Sequence, residues 1–135
     1  MIEQGLVQFI QGGLGSPPIC PGGFLIQLPK DFISPANPMA WTYRSIVSTP
    51  SYFLDGQDGL TFLEIQIDCH GYAAANAITL ARAVDGVMRG LYSGTLPDGT
   101  IVQAIIRKPA FVDGFSDVNR SYVRSIEYEI QYQQI

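Results

Sequence analysis

The chain has 135 residues, enough for one domain with its own core, and 47% of them are hydrophobic, which excludes wholesale disorder. Eight Lys and Arg against twelve Asp and Glu leave a net charge of −4, which argues against a nucleic-acid binder that works by neutralising phosphates. Only 15% of the residues are charged, a sparse ionic surface that points to cover by a partner or by copies of the chain itself.

Taken in chain order, Ile2, Leu6, Phe9 and Ile10 fall at helical spacing and predict a helix over 2–11, ended by Gly12-Gly13. Residues 12–38 hold six of the nine prolines and five of the fourteen glycines, so this stretch reads as an irregular loop. Within it Phe24-Leu25-Ile26-Gln27-Leu28 is a short strand candidate, stopped by Pro29. Residues 40–48 are aromatic and β-branched and predict a strand with Trp41, Tyr43 and Val47 on one face. Asp55-Gly56-Gln57-Asp58-Gly59 reads as a polar turn.

Residues 60–70 alternate most cleanly. Leu63, Ile65, Ile67 and Cys69 point one way; Glu64, Gln66, Asp68 and His70 point the other, as in a half-buried antiparallel strand. From Ala73 to Leu91 the period changes to i, i+3, i+4 through Ala77, Leu80, Ala81, Val84, Val87, Met88 and Leu91, which predicts a helix. Gly86 and Gly90 weaken it, either for close packing or as fraying toward the end. A turn at Pro97-Asp98-Gly99, a strand over 100–107, a loop over 109–119 and a long strand over 121–132 complete the chain. In the last strand Tyr122, Arg124, Ile126, Tyr128, Ile130 and Tyr132 alternate with Val123, Ser125, Glu127, Glu129 and Gln131. The expected fold is a single α+β domain over 1–135: a mostly antiparallel sheet of about four main strands packed against two helices.

No run of about 18 apolar residues is present, so no membrane-spanning helix is expected. Met1-Ile2-Glu3 lacks the charged-then-apolar opening of a signal peptide, which gives the expectation of a cytoplasmic protein. Cys20 and Cys69 are compatible with a disulfide; the lack of an export signal favours free thiols. Two Cys and the single His70, without CxxC spacing, fall short of a zinc site. Adjacent Cys69 and His70 point to opposite strand faces and so do not form a nucleophile–base pair; the expectation is a buried Cys69 and a solvent-side or interface His70. Gly12-Gly13-Leu14-Gly15 follows a helix rather than a strand, unlike a phosphate-binding loop. Asp55 with Asp58, and Asp113 with Asp117, are acid pairs that suit a hard cation or acid–base work, but turn-forming Asp in polar loops is the commoner explanation. Nothing assembles an active site, and no cofactor or metal is expected.

The short N-terminal helix, the Pro/Gly-rich loop, the strand through Trp41-Thr42-Tyr43 and the Asp55-Gly56 turn before Gly59-Leu60 come in a fixed order. Glu64-Ile65-Gln66-Ile67-Asp68-Cys69-His70-Gly71 then leads directly into the alanine-rich helix. A loop near Asp113 and Asp117 precedes the closing strand Arg120-Ser121-Tyr122-Val123-Arg124-Ser125-Ile126-Glu127-Tyr128. Over residues 2–11 and 24–132 this series resembles the tail-terminator, or tail-completion, proteins of long-tailed bacteriophages and prophages. The proline loop at 12–23 is longer than that family's pattern. The resemblance implies a sheet on two helices and a non-enzymatic structural protein. It also implies a homo-oligomeric ring, typically of six subunits, that caps the tail tube, ends its polymerisation and offers a surface for head joining. Implied partners are the chain itself, the tail-tube protein and a head-completion or connector protein. Genome DNA passes through without specific binding, and no membrane is involved. The protein would sit in the virion tail, after assembly in the host cytoplasm. Candidate oligomer or partner contacts are Glu64, Gln66, Asp68, Asp113, Phe115, Asp117, Glu127 and Glu129. The alternatives are a head–tail connector or tube-like subunit, with 12–38 as the only candidate polymerisation arm; a small metal-dependent enzyme using Asp113 and Asp117; and a ligand-binding module with a deep apolar pocket.

Overall fold

Helical spacing of apolar residues builds α1 (Ile2–Gly13), whose Leu6 and Ile10 are buried to 1% exposure. The structure, a computed structural model, describes residues 2–14, 22–25, 32–35, 38–53, 56–89, 94–97, 99–116 and 121–133. Cys20, Asp55, Gly90 and Asp117 lie outside the described residues. After α1 come β1 (Gly22–Leu25), β2 (Met39–Phe53), β3 (Gly56–Gly71), α2 (Ala74–Arg89), β4 (Gly94–Thr95), β5 (Ile101–Ser116) and β6 (Ser121–Gln133). The six strands form one sheet in the order β1-β2-β3-β6-β5-β4. β1 runs parallel to β2; every other neighbouring pair is antiparallel.

The fold class is therefore α+β, as expected, with two helices among the described residues but six strands rather than about four. Two of the additional strands are short pieces, β1 and β4, at the two rims. The loop expected at 109–119 is also corrected: β5 runs on to Ser116, with a register shift between Arg107 and Phe111 where Pro109 falls. Proline lacks the N–H that a central strand would need, but a rim strand tolerates it. The polar turn expected at 55–59 is corrected as well, because residues 56–59 already belong to β3. β6 pairs with β3 only from Leu60 onward, so the pairing of residues 52–53 with 56–57 lies beyond the end of β6.

Alternation decides which side of the sheet meets the helices. Leu63, Ile65, Ile67 and Cys69 on β3 lie in register with Ile130, Tyr128, Ile126 and Arg124 on β6. All of these but Arg124 are buried in the main core with Leu80, Ala81, Val84 and Met88 of α2. Each such side chain contributes about 1.5–3 kcal/mol on leaving water. Trp41 is fully buried, and its indole N–H donates to Gln11 Oε1 at 2.7 Å, tying β2 to the end of α1. Trp41 and Tyr43 share the helix side, with ring centroids 6.2 Å apart. A bulge between Ser45 and Val47 breaks the alternation there and brings Val47 opposite Glu64.

α2 is nucleated by its alanines and by Asn76, whose Oδ1 accepts from the backbone N–H of Ala73 at 3.1 Å, a reciprocal cap at the first turn. Two glycines are fixed by close approach. A Cβ on Gly71 would collide with the backbone of Ala73 and Ala77, where β3 turns into α2. A Cβ on Gly13 would lie 2.6 Å from Val87 Cγ1, so α1 ends hard against α2. Gly86 is the opposite case: nothing lies within 4 Å of its would-be Cβ, so close packing inside the subunit is not its purpose.

Candidate interaction surface

The side of the sheet turned away from the helices, the strand face, carries the polar half of each alternation. The β3–β6 register places Asp68 opposite Ser125, Gln66 opposite Glu127 and Glu64 opposite Glu129. Five of the expected contact residues, Glu64, Gln66, Asp68, Glu127 and Glu129, are thus brought together on one face. A side-chain ladder crosses three strands. Arg44 donates to Gln66 at 3.0 Å, Gln66 donates to Asp68 at 2.8 Å, and the Ser125 hydroxyl donates to the same Asp68 oxygen. Glu64 and Glu129 are like charges directly opposite each other, an unfavourable pairing. Lys108 offsets it by reaching Glu64 at 3.2 Å. Ile106, in register with Glu129, stands 49% exposed beside these charges.

At one end of this face His70 corrects the expectation of a solvent-side imidazole. It does point away from Cys69, but it is only 4% exposed. Nε2 lies 3.0 Å from Thr42 Oγ1 and Nδ1 lies 3.1 Å from Ser121 Oγ, and both hydroxyl residues are buried. Ile33 and Ala40, with Phe32 against them, form a second small cluster at this end. Burial holds the His70 pKa below its ordinary value, against a smaller opposing pull from Asp68. Cys69, behind it in the main core, is a buried free thiol.

Asp113 and Phe115 do not join the acidic group. Asp113 is in register with Arg124, a residue of the helix-side series, and takes a two-pronged hydrogen bond from its guanidinium at 2.7 and 3.0 Å. That bond holds the Asp113 carboxyl below its usual range and raises Arg124. The carboxylate is thus engaged by a cation of the protein itself. Among the described residues, no group of three or more His, Cys, Asp or Glu stands together to hold a metal ion. Phe115 packs edge-on against Tyr122 at 5.2 Å, and both are exposed, as is Tyr72 nearby in sequence to the start of α2. A hollow of about 110 Å³ lies between Ala74, Ala77, Ile78, Asp113, Gly114, Tyr122 and Val123, well below the 300 Å³ or so that drug-sized ligands need.

Sequence reasoning missed Asp85. Its carboxylate is buried on α2, accepting from Tyr128 Oη at 2.8 Å and pairing with Arg89 at 2.9 Å and Arg107 at 3.3 Å. Burial, then the bond to Asp85, pushes the Tyr128 hydroxyl pKa up. The signal was available: Asp85 sits four residues after Ala81 and three before Met88, on the apolar side of the helix. Arg107 on β5 is the sheet's half of this cluster.

No protein-family model matches the sequence, and no curated protein matches it. No helix among the described residues is long and apolar enough to cross a membrane.

Proposed function

We propose that the chain is a structural subunit that assembles with its own copies into a ring, capping a bacteriophage tail tube, ending its growth and presenting a surface for head joining. The observation that carries this reading is the pair of unlike surfaces on opposite sides of one sheet. A cyclic ring is built from heterologous contacts, in which one patch meets a different patch on the neighbour. A charged, half-exposed strand face and an arginine-bearing helix side meet that demand. The sequence resemblance to tail-terminator proteins supports a position in the virion tail, with the tail-tube protein and a head-completion or connector protein as proposed partners. A chain of net charge −4 would also repel DNA phosphates in transit rather than hold them.

Purified protein is expected to sediment as a ring-sized species, with or without divalent cation, and to appear as rings in negative stain that bind tail-tube ends. A monomer at every concentration and ionic condition, with no binding to tube ends, would sink the proposal. The strand pairing of residues 52–53 with 56–57 beyond β6 favours a second reading, a connector or tube-like subunit, since a projecting strand pair suits polymerisation; long tubes in the same images would support it.

A further inference from the structure

Given the ring proposed above, charge placement indicates which surfaces meet. On the strand face Glu64, Asp68, Glu127 and Glu129 outnumber Arg44 and Lys108. Glu127 and Glu129 have no side-chain partner among the described residues. On the other side of the sheet, α2 turns outward the exposed residues Ala75, Thr79, Arg82, Gly86 and Arg89. The small side chains leave the two arginines standing proud, and the space over Gly86 is open. Arg82 has no side-chain partner among the described residues, and Arg107, which joins this side through Asp85, has a buried Nε with no hydrogen bond. One side thus carries surplus carboxylates and the other surplus guanidinium, a complementary pair on a single chain.

The sheet rims are poorer candidates. Beyond the few residues covered by β1 and β4, the rim strands β2 and β5 have no further partner among the described residues. Each carries a proline, Pro50 and Pro109, and two register shifts, features that discourage strand-to-strand joining. A face contact avoids them.

We infer that the acidic strand face of one copy seats on the arginine stripe of α2 in the next, head to tail, with Glu127 and Glu129 meeting Arg82 and Arg107 around exposed Ile106. A second copy suits the stripe better than nucleic acid, because Asp85 behind it already pairs with Arg89 and Arg107 and the whole chain is negative.

The test is sedimentation of the full chain and of two charge reversals, Arg82→Glu and Glu127→Lys, both at half-exposed or exposed positions. Each reversal alone is expected to raise the concentration needed for assembly by on the order of tenfold or more, with an unchanged melting temperature of the monomer. Mixing the two variants is expected to restore assembly, because each then offers the surface that the other lacks. Raising salt toward 1 M, where screening acts over about 3 Å, should loosen the wild-type ring. If wild type forms rings and both variants form them equally well, or the mixture stays apart, the face-to-face contact is wrong while the ring stands. If wild type never assembles, both fall. A DNA fragment retained by wild type and released by Arg82→Glu would overturn the contact in favour of nucleic-acid binding.

Discussion

His70 holds two buried hydroxyl groups in place, Thr42 on one side and Ser121 on the other, at a spot where a charged ring has little water to support it. Its folded-state pKa lies below the ordinary 6.5, so the unfolded chain takes up a proton that the folded chain refuses. Stability is therefore at its full value above pH 6.5 and declines as the pH falls below it, levelling off once the folded-state pKa is passed. Thermal melts between pH 7.5 and 5 should show this decline. His70→Gln, which keeps a donor and an acceptor without titrating, should flatten it; equal slopes for the two proteins would remove His70 as the cause. That His70 is buried could not be read from its own strand, where it alternates with Cys69 as an outward residue should. Its side-chain partners, Thr42 and Ser121, come from other strands far along the chain, and no local pattern announces them.

At the level of elements, β3 and α2 were the most legible parts. Strict alternation across Leu63 to His70 and the 3.6-residue period through Leu80, Val84 and Met88 each report one buried side, because a single dominant layer sits on it. Ile65→Asp, which sets a carboxylate in that layer, should cost several kcal/mol, close to the whole stability of such a domain. Glu64→Lys, one residue away on the strand face, should leave the fold intact. Equal loss of melting temperature in both would refute the assignment of faces. Gly86→Ala should raise stability by about 0.5–1 kcal/mol, since Ala is the better helix former and its methyl meets open space. β5 was less legible because Pro109 and Asp113-Gly114 look like breakers, whereas a rim strand absorbs them through register shifts. The start of β3 was hidden for a related reason: Asp55-Gly56 and Asp58-Gly59 look like one broad turn, yet β3 already begins at Gly56.

For the whole molecule, the candidate surface was half visible. Alternation grouped Glu64, Gln66 and Asp68, and separately Glu127 and Glu129, but only the β3–β6 register could bring the two groups side by side. The arginine side was invisible, since its members come from α2 and β5, far apart in sequence, and Arg89 and Arg107 meet at Asp85. If subunits join through these sides, native protein is linked to its own concentration, and the melting temperature should climb with concentration in low salt and stay flat for Arg82→Glu. Failure of the wild-type temperature to move across a hundredfold dilution series, on the order needed to shift such an equilibrium, would speak against assembly of the folded state. The two prolines at the rims have a further consequence for storage and purity. A β-rich protein that must meet its copies at high concentration runs the hazard of fibre growth, and imino residues without an amide proton deny an incoming chain its first rung. Replacing Pro109 with Val should leave discrete particles slowly giving way to dye-binding fibrils, while the parent protein keeps a clear solution.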